Sequence, residues 1–213
     1  YEIFDTLELL FQKISTPSNG FYHTFCRHHH LIFTNDNIAK TEFSTQINDL
    51  FNAKGMIYEF NPTNGHVETV VGEETKQLIS NALAGKMMDA QYKGMLETAC
   101  IQITNFRIDI AYQGLEKLWD AYERLKCYFD PKNQKEKSIS ASRIVALFGD
   151  NLLFQTEVNE EMRKLTELGN ALRIRHSETY QLALTNHKQI HYLFRRCLAL
   201  IVLIQDQISI SNM

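Results

Sequence analysis

The chain has 213 residues, 44% of them hydrophobic, which is enough to bury a core in one large domain or two small ones. A formal net charge of −3 removes any overall attraction to nucleic acid or an anionic membrane, so RNA contact would need a local basic patch. The longest apolar run, Cys197 to Ile204, is far shorter than the roughly 20 residues that cross a bilayer, which excludes a membrane role.

No basic stretch followed by an apolar one opens the chain, which favours a cytoplasmic location. Cys26, Cys100, Cys127 and Cys197 lie far apart without a CxxC pair, the pattern of reduced thiols.

Ile3, Phe4, Leu7, Leu10, Phe11 and Ile14 recur at steps of three and four, predicting an amphipathic helix over 1–14 that stops at Ser15–Gly20. The segment from there to Phe33 has no clear period. A second helix follows from Asp36 to Lys54, with Ile38, Phe43, Ile47, Leu50 and Phe51 on one face. Met56–Phe60 and His66–Val70 flank Asn61-Pro62-Thr63-Asn64-Gly65, which reads as a β-hairpin whose Gly65 tolerates positive φ. Helical spacing resumes at Glu73–Ala84, so a small α+β segment is expected over 1–85.

Residues 86–213 read as an antiparallel helical bundle, giving a mainly α chain. Met87–Phe129 forms two helices broken near Thr104-Asn105, with Tyr112, Leu115, Leu118, Trp119, Tyr122 and Leu125 on one stripe. After a polar loop over 130–138, further helices are expected around Ser140–Phe148, Leu153–Leu172 and Asn186–Gln205.

The densest polar cluster is Arg173-Ile174-Arg175-His176-Ser177-Glu178, at the end of a long helix. Guanidiniums offer a planar fork of donors to phosphate, and a neighbouring imidazole can move protons near neutral pH. The simpler account is cations placed against the negative end of the helix dipole. Glu116 and Glu123 could pair with Arg175 across the bundle, or lie on a solvated helix face.

His23-Thr24-Phe25-Cys26-Arg27-His28-His29-His30 gathers imidazole and thiol groups, which raises zinc binding. Without a second pair of ligands within reach, a polar or partly ordered loop is the expectation. His187 and His191 share a helix face but lack an acidic partner, so they read as surface histidines. Neither a metal site nor a cofactor is therefore expected. Gly-rich phosphate loops and a Gly-x-Ser-x-Gly elbow are missing from the sequence, which argues against nucleotide hydrolases and serine esterases.

Together, Arg173-Ile174-Arg175-His176-Ser177-Glu178 and the later His191-Tyr192-Leu193-Phe194-Arg195-Arg196-Cys197 resemble the end of HEPN-like domains of bacterial abortive-infection proteins, particularly the AbiJ type. Phe51–Phe60 and the strand after Gly65 are similar, more weakly, to the segment preceding the bundle in such proteins, so the resemblance covers Ile47 to Ile204. It implies an antiphage effector or accessory domain that binds RNA and cleaves it without metal, with Arg175 and His176 catalytic; beside that resemblance, Arg173, Glu178 and Glu116 are candidates for binding RNA or supporting the site. It also implies a homodimer through the helical half, with Ile190, Phe194, Ile201 and Ile204 as candidate contacts, or another defence-system subunit as partner. HEPN ribonucleases usually place four to six residues between Arg and His, whereas Arg173 and His176 are separated by two. That contraction leaves a catalytically silent dimerisation or protein-interaction module as the alternative.

Overall fold

The computed structural model describes residues 2–34, 37–54, 56, 58–85, 88–129, 137–174 and 182–211. It is mainly helical, as the sequence patterning predicts, with two small antiparallel hairpins, of which that patterning predicts only the second. The chain divides into two compact units, Tyr1–Val70 and Val71–Met213.

The first unit contains α1 (Glu2–Lys13), β1 (Thr16–His23), β2 (His28–Thr34), α2 (Asn37–Ala53), β3 (Tyr58–Asn61) and β4 (His66–Thr69). Its buried centre is Phe11, Phe51, Phe60 and Val67. Phe11 and Phe60 rings approach to 5.0 Å between centroids, and Phe43 meets Phe60 edge-on at 5.5 Å. The apolar face of α1 is narrower than its spacing suggests, since Ile3 and Leu10 remain exposed.

A two-stranded sheet has two outer edges whose backbone groups need partners. On β3, Asn48 of α2 clamps Phe60, its Oδ1 accepting from the backbone N–H at 2.6 Å and its Nδ2 donating to the carbonyl at 3.0 Å. On β4, Glu8 of α1 accepts from the Val67 N–H at 2.9 Å and pairs with His66 at 3.0 Å. Gly65 turns the hairpin at φ +74°, and a Cβ there would also meet the Phe11 ring at 2.9 Å.

The stretch expected to stop α1 and run on as a loop instead pairs as β1 and β2, from Thr16↔Thr34 to His23↔His28, with an irregularity between Asn19 and Tyr22. Pro17, Asn19 and Gly20 resemble breakers in one dimension. Pairing overrides that signal because Pro17 lies at the start of an edge strand, where a missing N–H is tolerated.

The second unit holds α3 (Glu73–Ala84), α4 (Ala90–Gln102), α5 (Ile108–Leu125), α6 (Lys137–Ala146), α7 (Leu152–Ala171) and α8 (His187–Ser211). α3 belongs here because Ala82 is buried in this unit's core and its carbonyl accepts from Gln205 of α8 at 3.3 Å. The division therefore falls before α3, not near Gly85 as the sequence suggests. Ile190, Phe194, Ile201 and Ile204, the residues proposed for dimer contact, are all fully buried within the chain's own core. α8 is apolar on more than one face because it is surrounded inside the bundle, and its exposed apolar residues are Tyr192, Leu203 and Ile210.

α5 and α7 are joined by three aromatic donors to three backbone carbonyls. Tyr122 Oη donates to Met162 at 2.7 Å, Trp119 Nε1 to Leu165 at 3.3 Å, and Tyr112 Oη to Leu172 at 2.9 Å. Trp119 fits only because Gly169 has no side chain, since a Cβ there would lie 2.2 Å from the indole nitrogen. The fully buried ring has no room to retreat. We expect Gly169→Ala to lower unfolding free energy by about 1–3 kcal/mol despite alanine's better helix propensity. Urea unfolding followed by fluorescence of Trp119, the single tryptophan, measures this. Unchanged or increased stability would refute the notch.

Candidate functional site

Arg175, His176 and Glu178 lie outside the described residues. The described chain on either side is tied to the end of α7: Tyr112 holds the Leu172 carbonyl at 2.9 Å, and the Leu182 N–H donates to the Ala171 carbonyl at 3.3 Å. Between these ties, Arg173 adopts φ +58° and Ile174 is buried. A left-handed residue just past a helix ends it and redirects the chain, a position glycine usually fills, because a side chain there costs about 1 kcal/mol. Insertion of Ile174 into the core offsets that cost.

Of the sequence-predicted site residues that are described, the structure brings Arg173 and Glu116 within electrostatic reach, with Tyr112 beside both. Glu116 is half-buried on α5, and its carboxyl is raised above the usual carboxylate range by burial and then by Asp120, against opposing pulls from Lys117 and Arg173. Burial also raises the Tyr112 hydroxyl, with Glu116 adding to it and Arg173 countering. Arg173 is exposed, so it can offer its guanidinium to an anion while Glu116 holds or releases a proton nearby.

Glu123 does not lie on a solvated helix face. It is buried, paired with Lys126 at 2.7 Å and in contact with Lys137. Burial alone would raise its carboxyl, but the two lysines hold it below the usual range. Lys126 in turn donates to Thr166 at 2.8 Å and lies 4.7 Å from the Tyr122 ring centre. The Glu123/Lys126 spacing was visible in sequence, but the arrival of Lys137 from α6 was not.

Between α6 and α7 lies a cleft of about 360 Å³ whose walls include Lys126, Lys137, Arg163, Ser142, Asn159 and Thr166, with no carboxylate among its described lining residues. A larger groove of about 460 Å³ between α7 and α8 sets Arg163, Lys164 and Arg196 against Glu157, Glu160 and Glu161. Charge balance makes the larger groove indifferent to phosphate, and in the smaller cleft Glu123 pairs with both lysines while Glu167 pairs with Arg163 at 2.6 Å, so most of its positive charge is offset as well.

His187 and His191 are not plain surface residues. His187 Nε2 donates to the Phe106 carbonyl at 3.1 Å, and His191 bonds the backbone of Ile103, which ties α8 to the α4–α5 turn. Among the described residues, no group of three or more His, Cys, Asp or Glu side chains stands in metal-binding geometry. All four cysteines are unpaired, and burial pushes the Cys100 thiol up to about 12 and raises that of Cys197 as well. Cys26 is exposed rather than part of a core.

No described helix is long and apolar enough to cross a membrane. No protein-family model, curated protein or solved structure matches the chain.

Burial, His187 and Arg195 together lower the His191 imidazole from its ordinary 6.5 to about 4. Between those values the unfolded chain takes up a proton that the folded chain refuses, so stability falls as pH drops from 6.5 toward 4 and then levels off. Partial exposure reduces the effect to on the order of 1–2 kcal/mol. Urea titrations near pH 7 and pH 4.5 should show a smaller difference for His191→Gln, which cannot titrate there, than for the parent. An equal difference in both proteins would remove this assignment.

Proposed function

We propose that this chain is a HEPN-like antiphage effector or accessory domain of the cytoplasm that binds RNA and cleaves it without metal through Arg175 and His176. The observation that carries the reading is the anchored end of α7. Tyr112 and the Leu182–Ala171 bond tie the described chain on both sides of the Arg/His run, and Arg173 is within electrostatic reach of Glu116. In the same unit Arg163, an exposed lining residue of the cleft between α6 and α7, would exchange its partner Glu167 for a phosphate. In this reading His176 relays a proton as a ribose 2′-hydroxyl attacks the adjacent phosphate, and Arg175 stabilises the developing charge.

Such sites are usually assembled from two copies, and a self-association surface on α8 would draw on exposed Tyr192, Leu203 and Ile210. The contracted Arg173-to-His176 spacing favours one other reading, a silent interaction module that holds a second copy or another defence subunit.

Incubating the purified chain with structured and single-stranded RNA, in the presence of a chelator, separates the two. We expect cutting that survives the chelator, disappears in His176→Ala, and falls severely in Arg175→Lys, because lysine keeps the charge but not the planar fork. DNA of the same sequence should remain whole. Arg163→Ala should weaken RNA binding across sequences and flatten its salt dependence. Retention of full cutting by His176→Ala would defeat the mechanism, and lack of both RNA binding and cutting would establish the interaction module.

A further inference from the structure

We propose that the β1/β2 hairpin carries a binding site for a divalent transition-metal ion such as Zn2+, formed by His23, His28 and His30. The pleat places these three residues together. His23 and His28 are direct cross-strand partners, and His30 is two residues beyond His28, so all three imidazoles belong to one face. Their ring centres are 5.9, 5.6 and 5.6 Å apart for His23–His28, His23–His30 and His28–His30. With metal–nitrogen bonds of about 2.0–2.1 Å, ring centres in a three-imidazole site lie about 5.2–5.5 Å apart. The triad therefore stands within a fraction of an ångström of that spacing, although its donor atoms do not yet converge. His28 and His30 are exposed and His23 is partly so, and the His23 and His28 rings now stack at 17°, so ring rotation about the side-chain torsions is needed before the nitrogens converge.

Hydrogen bonds in the turn already sort the ring nitrogens. His28 donates its Nδ1–H to the Cys26 carbonyl at 3.3 Å, which leaves the Nε2 lone pair for a metal. A backbone carbonyl fixing the tautomer of a ligating histidine is a recurrent support for metal sites. His23 accepts from the Cys26 N–H through Nδ1 at a long 3.3 Å, and the metal replaces that contact on the same nitrogen. His29 provides an internal contrast. It belongs to the opposite face, its Nδ1 donating to the Gly20 carbonyl at 3.1 Å and its ring 4.9 Å from Tyr22.

Coordination would also supply a cross-link to the hairpin. An isolated two-stranded ribbon is marginal in water, and a metal shared by both strands adds its binding free energy to the paired state. The site has no part in the RNA cleavage proposed above and does not rest on it.

Isothermal titration of the full chain with ZnCl2 at about pH 7.5 tests the assignment, with far-UV circular dichroism to verify that each variant stays folded. We expect saturable one-to-one binding of micromolar affinity, weakened about tenfold or more by His23→Ala, His28→Ala or His30→Ala and unchanged by His29→Ala. Because His28, His29 and His30 are exposed and His23 partly so, loss of binding in a folded variant reports ligation. Absence of saturable binding at about 100 µM, or an equal loss in His29→Ala, would overturn the site, the latter marking an unspecific histidine-rich surface.

Discussion

The second unit is organised by the register in which α5 donates side-chain hydrogen bonds to the backbone of α7. Descending α5 from Tyr122 to Trp119 to Tyr112, the donors step back by three and then seven residues. Their acceptors Met162, Leu165 and Leu172 advance by the same three and seven. Two antiparallel helices meet this condition only in one alignment, so the three bonds act as a ruler. Trp119 and Tyr122 are fully buried and Tyr112 partly so, and leaving a buried donor unpaired would cost about 1–3 kcal/mol, which disfavours a slipped register. Helical carbonyls can accept a second bond because each carries two lone pairs.

That ruler fixes the described end of α7. Its last rung grips Leu172, the residue after α7, so the left-handed turn at Arg173 occurs at a set height beside Glu116. Its middle rung requires Gly169, because the indole occupies the space where a side chain would be. Other bonds complete the frame: Arg196 of α8 grips Glu161 of α7 through two contacts of 2.7 Å, and Arg124 grips Asp89 before α4. A polar cluster at a helix end thus gains a defined backdrop from aromatic residues that carry no chemistry themselves.

The first unit solves a different problem with different means. With few strands and few buried residues, it protects the edges of β3 and β4 by side-chain mimicry from α1 and α2, through Glu8 and Asn48. The β1/β2 hairpin has no such cover. Phe21, Phe25, Leu31, Ile32 and Phe33 are exposed on it, and its cohesion comes from cross-strand pairing alone among the described residues.

Periodicity alone determined the helices and the β3/β4 hairpin, because steps of three and four, or an Asn-Gly loop between β-formers, are local signals that burial reinforces. It also placed Arg173 at the close of α7, since the apolar pattern of that helix ends there. Tertiary structure alone decided the rest. Pairing turned the His23–His30 stretch from a loop into two strands, and only the pleat could separate His29 from the other three histidines. Burial converted Glu123 from a surface acid into the partner of two lysines, and enclosed Ile190, Phe194, Ile201 and Ile204 within one chain. In each case the outcome depends on which residues distant in sequence arrive at the same place, and a one-dimensional pattern carries no record of that.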